Sequence, residues 1–104
     1  EVLRAREYLH MHATENVSLY ELARIAGLSP FHLTRAFRKE FGLPPHRYLV
    51  QLRIDLARRL LALDMPISQI ATDAGFYDQS HFGWHFKRLV GVTPAHYAAR
   101  ARIS

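Results

Sequence analysis

The sequence contains one pattern twice, and this internal repeat limits the possible fold more than any other feature. With an offset of 48 residues, the Ala-x-x-Ala-Gly segment ending at Gly27 falls on the one ending at Gly75. With an offset of 49, a set of His, Phe, Gly, Pro and Tyr residues aligns, namely His32, Phe37, Gly42, Pro45 and Tyr48 with His81, Phe86, Gly91, Pro94 and Tyr97. The offset changes where a turn is expected. A solenoid generally needs three or more copies, so we predict two similar compact units.

Helix start and stop residues punctuate both copies. The predicted starts are Ser18, Ser29, Pro66, Asp78 and Thr93, and the predicted ends are His12, Gly27, Gly42, Gly75 and Gly91. No segment alternates polar and apolar residues with a period of two, so we predict an all-α fold of about seven helices. We expect the phenylalanines and tyrosines in the cores, except Phe31, which helical phase places off the apolar face together with Trp84.

Each copy has the order of a helix-turn-helix: a short helix, a tight turn with glycine and a longer helix. We predict two homeodomain-like subdomains, residues 1–45 and 65–104, joined by a linking helix over residues 46–64. That helix would be about 28 Å long, and successive major grooves are roughly 34 Å apart. Recognition helices near residues 29–41 and 78–90 are therefore expected in adjacent grooves. Because the chain starts with Glu1 inside an apolar helical pattern, we interpret it as part of a longer regulator.

Composition favours a polyanionic partner. The formal net charge is +5 and the isoelectric point is about 10.1. The absence of cysteine excludes disulfides and thiolate metal sites and is typical of a cytoplasmic protein. We find no apolar run long enough for a membrane span and no paired carboxylates, nucleophile motif or phosphate-binding glycine loop. The sequence therefore favours duplex DNA binding without a cofactor. The alternative is a helical protein-interaction module, and an enzyme is the weakest interpretation.

The polar faces of the recognition helices carry the candidate DNA contacts. At about 100° per residue, Arg35 and Lys39 lie opposite Phe37. In the second copy Trp84 and Arg88 point away from Phe82. Such residues alone would be interpreted as a solvated helix face, but their place in a repeated helix-turn-helix favours DNA contact. The other histidine pair at metal-chelating spacing, His81 and His85, has no third ligand at matching spacing, so no metal site is predicted.

Two long segments resemble the AraC/XylS family of bacterial transcription regulators. They are SLYELARIAGLSPFHLTRAFRKEFGLPPHRYLVQLRIDLARRLL and ISQIATDAGFYDQSHFGWHFKRLVGVTPAHY. The resemblance covers residues from about Tyr8 to Tyr97. It implies two helix-turn-helix subdomains, a rigid linking helix, an asymmetric DNA site and activation through RNA polymerase. It also implies that an effector-binding or dimerisation domain accompanies most members.

The resemblance also implies site residues by position. Base contacts would come from Phe31, Thr34 and Arg35 in the first copy and from Gln79, Ser80, His81, Gly83 and Trp84 in the second. We expect phosphate contacts from Arg38, Lys39, Arg47, Lys87 and Arg88. The sequence departs from the family pattern at Trp84, where members often have arginine. We therefore expect weaker hydrogen-bonded base readout in the second copy, with the Trp84 ring against a thymine methyl or the sugar-phosphate backbone.

Overall fold

A computed structural model describes residues 1–103, and all regular secondary structure in that range is helical. Seven helices follow one another: α1 (Val2–Met11), α2 (Leu19–Ala26), α3 (Pro30–Phe41), α4 (Pro45–Leu61), α5 (Ile67–Asp73), α6 (Gln79–Val90) and α7 (Pro94–Ile103). This confirms the all-α prediction. The chain forms two compact units, Glu1–Leu52 and the residues from Arg53 onward.

The predicted caps form the helix starts because their side chains satisfy backbone N–H groups that have no partner in the first turn. The Ser18 hydroxyl accepts a hydrogen bond from the N–H of Glu21 at 3.0 Å, and Ser29 accepts from His32 at 3.2 Å. In the second copy, Asp78 accepts from the N–H of His81 at 2.7 Å. Both recognition helices, α3 and α6, therefore begin where the sequence predicts.

In the first unit, α1, α2 and α3 enclose an apolar core. Leu9, Leu22, Leu33 and Phe37 are buried there. Gly27 ends α2 in the left-handed conformation, with φ of 72°, so the chain can turn abruptly into α3. The Tyr8 hydroxyl donates to the Glu21 carboxylate, and this hydrogen bond raises the pKa of Tyr8 above its usual value. The core and this contact fix α3 against the other two helices.

The second unit repeats this construction with aromatic side chains. Phe76, Phe82 and Phe86 are buried. The ring centroids of Phe76 and Phe82 are 5.1 Å apart, and those of Phe86 and Tyr97 are 5.5 Å apart. These contacts join α6 to the turn before it and to α7. The apolar face of α6 is therefore fixed, and its opposite face is left for contacts outside the unit.

The linking helix α4 ends at Leu61, three residues before the expected end at residue 64. The Arg102 side chain donates hydrogen bonds to the carbonyl oxygens of Leu61 at 3.1 Å and Met65 at 2.8 Å. These bonds supply partners for carbonyls at the helix end. The buried Arg53 lies on the same helix, and burial lowers the pKa of its guanidinium.

The expectation that all tyrosines lie in the cores is wrong. Tyr20 is 78% exposed and Tyr77 is 90% exposed. Tyr20 lies almost opposite Leu22 on α2, so its helical phase directs it outward. Tyr77 precedes the cap of α6, in a segment without regular structure.

Candidate nucleic-acid interface

The exposed face of α3 carries an aromatic residue and three cations. Phe31, Arg35, Arg38 and Lys39 are all exposed, while Leu33 and Phe37 are buried on the other side of the helix. Phe31 is 64% exposed, which is unusual for a large apolar side chain. The placement agrees with the phase predicted from the sequence.

Phe31 and Arg35 contact each other on this face. The Cζ atom of Arg35 lies 5.5 Å from the centroid of the Phe31 ring. A guanidinium at this distance is attracted by the ring face, and the contact restricts its rotamers. The hydrogen-bond donors at the edge of the guanidinium are then presented in a defined plane, as bidentate contact with a guanine requires.

Thr34, the third predicted base contact of α3, lies at the margin of the face. Its hydroxyl donates to the carbonyl oxygen of Pro30 at 2.9 Å, so only its lone pairs are left to contact a base. Thr34 also lines a cleft of about 260 Å³ together with the buried Leu22 and Leu49. The structure therefore places Thr34 partly toward its own unit.

His32 lies on the same side of α3 but is absent from the residues predicted to contact DNA. Its side chain is exposed, and its Nδ1 atom is 2.7 Å from the hydroxyl oxygen of the cap residue Ser29. Its ring also makes an edge contact with Phe31, with the centroids 5.7 Å apart. The phase of the helix indicates this position, since His32 lies about 60° from Arg35 in projection.

The corresponding face of α6 begins with exposed polar side chains. Gln79, Ser80 and His81 are exposed in its first turn, and Trp84 follows with 61% of its side chain exposed. A Cβ atom added to Gly83 would meet no heavy atom within 4 Å. The five residues predicted to contact bases thus lie on accessible surface of one helix.

His81 and His85 form a pair on this helix. Their Nε2 atoms are 3.1 Å apart, and the N–H of Tyr77 donates to Nδ1 of His81 at 3.4 Å. Because Nδ1 of His81 accepts, its Nε2 carries the hydrogen and donates to His85. No group of three or more potential metal ligands occurs within the described range 1–103. We therefore describe the pair as a hydrogen-bonded contact that orients His81.

The residues predicted to contact phosphate are all exposed. Arg38 and Lys39 lie in the last turn of α3, and Lys87 and Arg88 lie in the last turn of α6. Arg47 is exposed near the start of α4. Arg88 differs from the others because its Cζ atom lies 5.2 Å from the centroid of the Trp84 ring. The sequence did not predict this contact.

Comparison with known proteins identifies the family. A family model described as a helix-turn-helix domain matches residues 22–100. The chain belongs to the AraC/XylS family. Among its AraC-type relatives, "Probable transcriptional regulator LumQ" of Photobacterium leiognathi is 36% identical over 91 residues, which cover 86% of this chain and 37% of that protein.

Solved AraC-type structures show the same fold. The C-terminal domain of AraT, a response regulator from Geobacillus stearothermophilus, has a TM-score of 0.88 and 32% identity, covering 95% of this chain and 84% of that one. The DNA-binding domain of AdpA, a global transcriptional factor solved with a target DNA, has a TM-score of 0.92 and 29% identity, covering 98% and 93% of the two chains. The AraC-type chain described here is a DNA-binding domain and not an enzyme.

Proposed function

We propose that this domain reads an asymmetric duplex DNA site with α3 and α6 and thereby regulates transcription, most often by activation. The observation that carries the proposal is that both helices bury one apolar face and expose an aromatic–arginine pair on the other. A protein-binding surface has no need for this pairing twice on equivalent helices. In the major groove, by contrast, an oriented guanidinium can discriminate guanine.

The length of α4 supports reading by one chain in adjacent major grooves. Seventeen residues correspond to about 25 Å of helix, which is comparable with the roughly 34 Å repeat of the groove. We therefore expect the monomer to bind a site of about 20 bp. The net charge of +5 should make its affinity fall steeply with salt.

Fluorescence anisotropy at two salt concentrations tests this proposal. The probes are a site selected from a random duplex library, the same sequence as single strands, and a palindromic duplex made from one half-site. We expect one chain to bind the asymmetric duplex most tightly. Equal affinity for single strands, or a requirement for two chains on the palindrome, would contradict the proposal.

Two variants of α3 separate base contact from phosphate contact. Arg35 lies nearer the N-terminus of the helix and is oriented by Phe31, so Arg35→Ala should relax the preference at one base pair by about 1–3 kcal/mol. Lys39→Ala should weaken all duplexes alike and lower the salt slope by about one. A uniform loss with unchanged base preferences for Arg35→Ala would show that Arg35 contacts phosphate.

The chain spans 37% of the length of LumQ, so the activity of a complete protein is part of the proposal. We propose a bacterial cytoplasmic regulator in which an effector-binding or dimerisation domain accompanies this one and RNA polymerase is a partner. No helix among residues 1–103 is long and apolar enough to cross a membrane. Co-purification of RNA polymerase on promoter DNA, with and without the domain, tests the partner.

A further inference from the structure

The aromatic–arginine pairs of the two recognition helices lie at different registers. The offset of 49 residues that aligns α3 with α6 places Trp84 on Arg35 and Arg88 on Lys39. The pair in α6 is therefore four residues further along its helix than the pair in α3. Four residues correspond to about 6 Å, which is close to two base-pair steps.

The contact of Arg88 with Trp84 draws its guanidinium back toward the start of α6. The two residues are four positions apart, and the Cζ atom lies 5.2 Å from the indole centroid. The ring of Trp84 also makes an edge contact with His85, with centroids 4.9 Å apart. The indole is therefore held by its own helix and provides a fixed surface for the guanidinium.

A stacked guanidinium suits a base better than a phosphate. The ring occupies only the face of the guanidinium, so its planar edge keeps the parallel N–H donors that match the O6 and N7 acceptors of guanine. Lys39, the equivalent residue in α3, is a point charge and cannot make this bidentate contact. Gly83, which precedes Trp84, leaves open space on the helix surface, so the middle of α6 can approach DNA closely.

We propose that Arg88, positioned by Trp84, reads a guanine in the half-site of α6, one helical turn beyond the position at which Arg35 acts in α3. This inference rests on the proposed function, and it changes the expected role of Arg88 from phosphate contact to base readout. It gives the second unit the guanine-reading side chain that the sequence comparison finds missing at position 84.

The test is a base-by-base affinity profile of the selected duplex for the wild type, Arg88→Ala and Arg88→Lys. Arg88→Ala should reduce the preference for one G·C pair by about 5- to 150-fold, the discrimination of one bidentate contact. Arg88→Lys should lose that preference but keep the salt slope, because it retains the charge. Lys87→Ala, the matched control on the same helix, should weaken all sequences by the same factor.

Variants of Trp84 test its positioning role. Trp84→Ala should reduce the preference for the same G·C pair although Arg88 is present, and Trp84→Phe should restore most of it because an aromatic face remains. Circular dichroism of each variant checks that the helices are intact.

Two results would separate the failure of this inference from that of the proposed function. If Arg88→Ala weakened every duplex equally and lowered the salt slope by about one, Arg88 would be a phosphate contact and only this inference would be wrong. If the wild type showed no preference between duplexes, the proposed function itself would be wrong. A retained preference in Trp84→Ala would show that Trp84 does not position Arg88.

Discussion

Gly83 lies inside α6, where the described structure has no need for glycine. Its φ lies outside the left-handed region, and an added Cβ would meet no heavy atom within 4 Å. Glycine inside a helix costs about 1 kcal/mol relative to alanine, partly because it leaves the unfolded chain more freedom. We therefore expect Gly83→Ala to raise the free energy of unfolding by about 1 kcal/mol and Tm by roughly 4–8 °C.

Urea titration followed by tryptophan fluorescence measures this effect, because Trp84 is the single tryptophan of the chain and lies on α6. Gly91→Ala is the matched control. A Cβ there also meets nothing within 4 Å, but the φ of Gly91 is +98°, where side chains are strained. The control should therefore destabilise the unit. If both variants shifted the midpoint in the same direction, backbone conformation would not be the deciding factor.

Gly83→Ala should also weaken duplex binding while it stabilises the protein. The new methyl group would occupy the open surface next to Trp84, where we propose that DNA approaches. An anisotropy titration at fixed salt checks this part. Unchanged affinity in a stabilised variant would show that DNA does not approach α6 at Gly83.

Three further predictions concern individual hydrogen bonds. Asp78→Ala should lower the free energy of unfolding by about 1 kcal/mol through loss of the cap of α6, and Asp78→Asn should retain most of it in the same urea titration. Because the hydrogen bond to Glu21 raises the pKa of Tyr8 above 10.0, its contribution is present below pH 10 and is lost as the pH rises through the raised value. Unfolding midpoints of Tyr8→Phe and the wild type should therefore differ at neutral pH and converge in strong alkali. Arg102→Met should lower the free energy of unfolding by about 1 kcal/mol, measured by calorimetry, because two carbonyls near the end of α4 lose a donor; an unchanged Tm would contradict this.

The sequence predicts the helix starts well because capping is local. Ser18, Ser29 and Asp78 each accept a hydrogen bond from an N–H three residues later, so the signal and the contact lie within one turn. The end of α4 depends instead on Arg102, which reaches Leu61 from 41 residues away. No pattern within the linking segment contains that information, which is why its predicted end lies too far along the chain.

The candidate site shows the same division between what is local and what is not. Periodicity predicts which face of each recognition helix is exposed, since phase depends only on the spacing of buried residues such as Phe37 and Phe82. Whether an exposed arginine acts on a base or on a phosphate depends on where its guanidinium lies. For Arg88 that position is determined by its rotamer and by the indole of Trp84. Alignment of Cα positions assigns the arginine at 35 to base contact and the one at 88 to phosphate. The positions of the guanidinium groups instead make the two residues alike, because each lies over an aromatic ring one turn before it. The functional equivalence of the two units is therefore better judged from side-chain ends than from sequence register.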